Sequence, residues 1–285
     1  MVGWLFRKTF VVHLSDGGEI AIGKIHRRHV WGFAFRIVLL AVVLILFFTG
    51  AEALDFSVMP RKDFGGVFLC FVWVILAAGM IRELFPNKRM TLITQKHHSD
   101  PTKNTPEQGN GLSADKAAAH KRLNRGIFFS AVAWIFCNAA VFFVLSLLDM
   151  LTPPAALVLV VFYAVCDLVC VLIFCPFQVF FMQNRCCTVC RIHNWDCLMM
   201  CTPLILFPCL YSLSLLLISV AVLIRWEITT RKSPHFFVED INENLCCVHC
   251  EDKLCQLRSK QWLRISIIRN GPVHKKWGSS YGKEN

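Results

Sequence analysis

The stretch Ala155-Ala-Leu-Val-Leu-Val-Val-Phe-Tyr-Ala-Val-Cys-Asp-Leu-Val-Cys-Val-Leu-Ile-Phe-Cys-Pro-Phe-Gln-Val-Phe-Phe-Met182 contains one carboxylate, Asp167, and no Lys or Arg. Crossing roughly 30 Å of hydrocarbon takes about 20 helical residues, so this run is long enough to span a membrane. Three further runs have the same character: Phe33–Leu54, Gly126–Leu148 and Pro203–Ile224. A fifth, Phe64–Leu84, is equally apolar until Arg82 and Glu83 end it. The reading is an all-α integral membrane protein with about five transmembrane helices.

Composition agrees. The 285-residue chain is 55% hydrophobic and 17% charged, whereas soluble domains carry about 25% charged residues. The net charge of +11 resides almost wholly in the polar segments between the apolar blocks. No nucleic-acid module is present, so the expected partner of that charge is the anionic leaflet of a membrane. A homo-oligomer or a second membrane protein is the other partner class.

The remaining segments divide the chain. Residues 1–31 form an N-terminal segment without the apolar core or cleavage site of a signal peptide. Its runs Thr9–Leu14 and Glu19–Gly23, around Asp16-Gly17-Gly18, predict a small β-hairpin. Residues 32–85 hold helices one and two. Residues 86–125, with scattered Pro and Gly, are too polar to offset their ordering entropy and are expected to be a disordered loop. His97 and His98 lie there and read as solvated side chains rather than ligands. Residues 126–225 hold helices three to five with a Cys-rich loop over 185–201, and 226–285 form a Cys-rich basic tail. Pro153 and Pro154 suit a turn followed by a helix start.

Basic residues orient the chain. Six precede or open the first span, through Arg36, and nine lie from Arg82 to Arg125. The loop between spans one and two holds two, Arg61 and Lys62, and the Asp149 turn none. This places the N-terminus, the long loop and the 185–201 loop in the cytoplasm of a cell-membrane protein. Five spans then put the tail on the opposite face, against its eleven basic residues from Arg225 onward. The alternative is that Pro203 and Pro208 break the last run, making it re-entrant and returning the tail to the cytoplasm.

Fifteen cysteines are unevenly distributed. Cys70, Cys137, Cys166, Cys170, Cys175 and Cys209 lie within spans and read as small packing residues. Two groups share an opening pattern: Cys186, Cys187 and Cys190 with Cys197, and Cys246, Cys247 and Cys250 with Cys255. Cys-x-x-Cys lets two thiolates converge on one metal, and two such pairs make a tetrathiolate zinc site or hold an iron–sulfur cluster. Thiol–disulfide exchange is the competing chemistry, because Arg185 and Arg191 would lower a neighbouring thiol pKa. Structural disulfides and inert thiols stay open. His193 and His249 could complete either group or be solvated.

Asp167 lies in mid-span, where a carboxylate costs several kcal/mol unless paired or protonated. It marks an ion or proton position, or a polar contact between helices. Cys175-Pro176 should kink the helix just below it.

The segments Cys175-Pro-Phe-Gln178, Asn184-Arg-Cys-Cys-Thr-Val-Cys-Arg-Ile-His-Asn-Trp-Asp196, Arg225-Trp-Glu-Ile228 and Asn242–Cys255 resemble those of a group of uncharacterised bacterial multi-pass membrane proteins. The resemblance implies a membrane location and no activity. The chain has no Walker loop, dinucleotide turn, His-Glu-x-x-His or Ser elbow. The expected function is therefore a membrane protein with cysteine-ligated zinc or iron–sulfur, structural or electron-carrying. The alternatives are a transporter or channel using Asp167, a thiol–disulfide protein, or an assembly subunit without chemistry of its own.

Overall fold

The computed structural model describes residues 11–13, 19–21, 24–85, 111–172, 175–177, 180–181 and 191–232. Five helices are long and apolar enough to cross a membrane. They lie in α1 (Lys24–Gly50), α2 (Phe64–Leu84), α3 (Gly111–Leu147), α4 (Pro153–Leu172) and a C-terminal helix Leu210–Lys232. Between the last two runs a short helix, α5 (Asp196–Cys201), making the C-terminal helix α6. Val11–His13 (β1) and Glu19–Ala21 (β2) pair antiparallel with Val12 opposite Ile20. Helix α3 begins at Gly111, inside the stretch read above as a polar loop.

The helix starts follow local chemistry. Asp63 caps α2 by accepting from the Gly66 N–H at 3.2 Å. The Arg61 guanidinium pairs with it and holds its carboxyl below the usual range, so the cap stays charged where the helix dipole favours an anion. Pro153 opens α4 after Thr152, as its fixed φ and missing N–H allow. Asp149 adopts φ 53°, and the Met150 N–H donates to the Leu145 carbonyl at 2.9 Å. That left-handed residue and its backward bond terminate α3.

Buried residues mark one face of each packed helix. On α2 these include Leu69, Val72, Leu76 and Met80; on α6 they are Tyr211, Ser212, Leu215, Ser219, Val222, Trp226 and Thr230. Their three- and four-residue spacing is the helical period. The outward faces carry large apolar side chains, among them Phe48 and Phe136, each 78% exposed, and Leu210 at 84%. So much contiguous apolar surface fits lipid and not water. Lipid offers no hydrophobic drive between helices, so close packing and polar contacts hold them together. The Trp73 indole N–H donates to Ser214 Oγ at 2.9 Å, joining α2 to α6. On the other side of the bundle Tyr163 donates to Asn138 Oδ1 at 3.0 Å, and the Trp134 indole N–H to Thr202 Oγ1 at 3.1 Å.

Gly65 and Gly66 allow the closest approach. A Cβ on Gly65 would sit 2.6 Å from the Ala53 carbonyl oxygen, and one on Gly66 would meet the Arg61 backbone. Backbone cannot swing aside as a side chain can. Gly66→Ala is therefore expected to destabilise the protein by roughly 1–3 kcal/mol, read as a lower unfolding midpoint in detergent. Gly79→Ala, with nothing within 4 Å of the added carbon, should be neutral or slightly stabilising. Equal losses for both would refute the packing argument.

The path after α4 adds a short helical passage beside the five helices of spanning length. At one end of the bundle, Arg191 pairs with Glu227, and Asn194 Nδ2 donates to Thr230 Oγ1 at 3.0 Å. At the other end, Cys209 Sγ donates to the Phe56 carbonyl at 3.6 Å, and Phe56 stacks on Tyr211 at 5.3 Å. The chain therefore travels the length of the bundle between Asn194 and Cys209, and α6 runs back beside it. Two short helical pieces make the journey, α5 and the 3-10 segment Thr202–Leu206. A 3-10 turn rises about 2.0 Å per residue against 1.5 Å for an α-helix, so fewer residues cover the distance. The apolar run Pro203–Ile224 is thus two pieces bent at Phe207–Cys209. Lys232 leaves the bundle at the end where Arg191 enters it. We call this the tail end, and the end holding Phe56, Asp149 and Cys209 the turn end.

Candidate functional site

Near the tail end, α1, α2, α4 and α5 surround a cavity of about 60 Å³. Arg36, Glu83, Asp167, Asp196 and Cys197 line its polar side, with Leu39 and Leu76 among the apolar lining. Each polar group reaches it for a local reason. Glu83 occupies the last turn of α2, and Asp167 lies five residues before the end of α4. Asp196 and Cys197 open α5, where Asp196 Oδ1 accepts from the Cys197 N–H at 2.6 Å.

Arg36 Nη1 donates to Asp167 Oδ2 at 3.0 Å and also to the Ala164 carbonyl. The mid-span carboxylate is thus the partner of a guanidinium on another helix, the polar helix–helix contact that its cost in a membrane demands. It also borders the cavity. Cys197 Sγ donates to Glu83 Oε2 at 3.1 Å. His193 is buried, with Nδ1 3.7 Å from Asp196 Oδ2. Burial alone would push its pKa down, but the Asp196 carboxylate outweighs that and lifts it above the ordinary value.

Two sets of donor atoms emerge. One atom each from Glu83, Asp196 and Cys197 lies within 4.8 Å of the other two, and the same holds for Asp167, His193 and Asp196. Asp196 belongs to both sets. Zinc bonds of about 2.0–2.3 Å place tetrahedral donors about 3.3–3.8 Å apart, so the sets would close by up to about 1.5 Å around an ion. Three carboxyl groups and the Cys197 thiol thus converge close to the Arg36 guanidinium and the His193 imidazole.

Of the eight cysteines expected as ligands, Cys197 alone is described, and it turns into this cavity. Cys186, Cys187, Cys190, Cys246, Cys247, Cys250 and Cys255 lie outside the described residues, as do His97, His98 and His249. Among the described residues, Cys70, Cys137, Cys166, Cys197, Cys201 and Cys209 are free thiols. Glu83 and Asp196 were not anticipated as site residues, and Arg36 was read only as a topogenic charge. Their one signal in the chain is an acid at the edge of an apolar run, which a helix terminus also produces.

A second polar node lies at the tail end. Glu227 pairs with Arg191 and accepts from the Trp195 indole N–H at 3.1 Å and from Asn194 Nδ2 at 3.4 Å. Arg191 also donates to Asn124 Oδ1, drawing in α3. This node ties the entry of α5 to the exit of α6.

Helices of spanning length around an acidic, thiol-bearing cavity define a multi-pass helical membrane protein with a potential cation-binding centre. No family model matches the chain, and neither a curated protein nor a solved structure does so.

Proposed function

We propose that this membrane protein binds a transition-metal dication in the cavity, with zinc as the reference ion. The carrying observation is the convergence of Glu83, Asp196 and Cys197 on one cavity, with His193 and Asp167 adjoining. One thiolate and two carboxylates form a borderline donor set that suits zinc or cobalt, and thiolate excludes magnesium and calcium as preferred ions. An iron–sulfur cluster needs about four cysteines, so that expectation remains with the seven cysteines outside the described residues.

The test uses the full chain in detergent, with those seven cysteines changed to serine. After chelation, cobalt(II) should bind at one equivalent and give a thiolate-to-cobalt charge-transfer band. Cys197→Ser should abolish the band, and Asp196→Asn should weaken binding by at least about 100-fold. A protein that takes up no cobalt, or a band indifferent to Cys197, would remove the proposal. Transport through Asp167 asks further that the ion be released on both faces, which zinc flux in proteoliposomes reads.

A second reading comes from the path of α6. Because Lys232 emerges beside Arg191, the loop carrying Cys186, Cys187 and Cys190 and the tail carrying Cys246, Cys247, Cys250 and Cys255 join the bundle at the same end. This supports a tetrathiolate zinc or iron–sulfur site shared between them. Restoring the seven cysteines should then add one further metal equivalent. The same end displays Arg82, Arg125, Arg231 and Lys232, which supports a cytoplasmic tail end in contact with anionic lipid.

A further inference from the structure

The two donor sets share Asp196, yet they are not equivalent, because one already has a cation beside it. Arg36 Nη1 lies 3.0 Å from Asp167 Oδ2. Asp167 belongs to the set with His193 and Asp196, whereas Glu83, Asp196 and Cys197 form the set that Arg36 does not contact directly. Building on the cavity metal site proposed above, we propose that Arg36 acts as a tethered cation that occupies the Asp167 side and restricts the cavity to one metal ion, held by Glu83, Asp196 and Cys197.

The physics is charge competition at short range. A dication bound to Asp167 would lie within a few ångströms of the guanidinium, and a guanidinium cannot shed its charge. Arg36 is anchored rather than free to withdraw, since the same nitrogen donates to the Ala164 carbonyl on α4. Its pairing also neutralises Asp167, which would otherwise be a carboxylate facing lipid-depth surroundings without a partner. Remove the guanidinium, and Asp167 loses its 3.0 Å partner and is left beside His193 and Asp196. The Asp167, His193 and Asp196 set then becomes a second subsite of oxygen and nitrogen donors, with Asp196 bridging the two ions as carboxylates do in two-metal centres about 3.5–4 Å apart.

Cobalt(II) distinguishes the two subsites spectroscopically, because only one contains a thiolate. In the background lacking the seven outlying cysteines, the protein with Arg36 should saturate at one equivalent, with the charge-transfer band complete. Arg36→Gln should take up a second equivalent that adds ligand-field absorption without further charge transfer, at an affinity about 100-fold above any second binding to the parent. Arg36→Lys, which keeps the charge, should remain at one equivalent.

Asp167→Asn approaches the same point without altering Arg36. It frees the guanidinium to face the remaining ion, so the single equivalent should bind about tenfold more weakly although Asp167 is not its ligand. This variant decides the matter if Arg36→Gln does not fold. One equivalent at unchanged affinity in Arg36→Gln, or unchanged affinity in Asp167→Asn, would overturn the role of Arg36 while leaving the metal site in place. A parent protein that binds no cobalt would overturn the site and this inference together.

Discussion

Glu227→Ala is expected to destabilise the folded protein by about 3–5 kcal/mol, because it leaves the Arg191 guanidinium buried without its counter-charge. The Arg191 side chain is 8% exposed and that of Glu227 is 16%, so water screens this pair far less than a surface ion pair. The loss extends beyond one bond, since the Trp195 indole and Asn194 amide donate to the same carboxylate. Removing both charges with Arg191→Met and Glu227→Leu should recover part of the stability, because an apolar pair carries no charge-desolvation cost, while the Trp195 indole still loses its acceptor. Thermal unfolding of the single and double variants in detergent supplies the cycle. A double variant as unstable as the single one would mean that the ion pair is not what joins α5 to α6.

The second large effect is all-or-none. Ser57 is exposed at the turn end and Lys232 at the tail end, so cysteines placed there should lie on opposite faces of a membrane. In the background with serine at the seven outlying positions, an impermeant thiol reagent added to intact cells should modify Ser57→Cys and spare Lys232→Cys until lysis. Modification of both from outside would refute the path in which the chain passes from Asn194 to Cys209 and back. It would also separate the two cysteine groups and end the shared tetrathiolate reading.

That path is where the chain was hardest to read. Runs such as Phe64–Leu84 were legible because length and apolarity alone decide them. The run Pro203–Ile224 satisfies the same criterion and yet contains a reversal. Pro208 lies between the 3-10 segment Thr202–Leu206 and α6, and residues 202–206 belong with the preceding passage. Hydropathy counts apolar residues without regard to direction, so a bend made of Pro, Phe and Cys leaves it unchanged. With the extra passage, Arg225, Arg231 and Lys232 lie at the same end of the bundle as Arg82 and Arg125, in keeping with the bias of positive charge toward one face.

The site was legible only in fragments. Asp167 stood out because a mid-span carboxylate is costly, and Cys197 because of its neighbours' spacing. Their partners were not readable, because Arg36 is 131 residues from Asp167 and Glu83 is 114 from Cys197. Cys197 was grouped with Cys186, Cys187 and Cys190 by proximity along the chain, but α5 directs it to α2. Spacing along a sequence is a guide to ligands in a loop. Here α5 begins at Asp196, so Cys197 lies on a helix, and its described side-chain partner is Glu83 on α2.

The distance between Arg36 and Asp167 also sets a schedule. A ribosome adding about 5–20 residues per second takes roughly 7–26 seconds to make the 131 residues that separate them. During that interval the first helix holds a guanidinium whose carboxylate does not yet exist. Arg36 lies only six residues inside the start of its apolar segment at Val30, within reach of the headgroups by snorkelling. The newborn helix should therefore ride high at its tail end and sink to its final depth when α4 arrives. Nascent chains halted before Asp167 would retain Arg36 at the membrane surface.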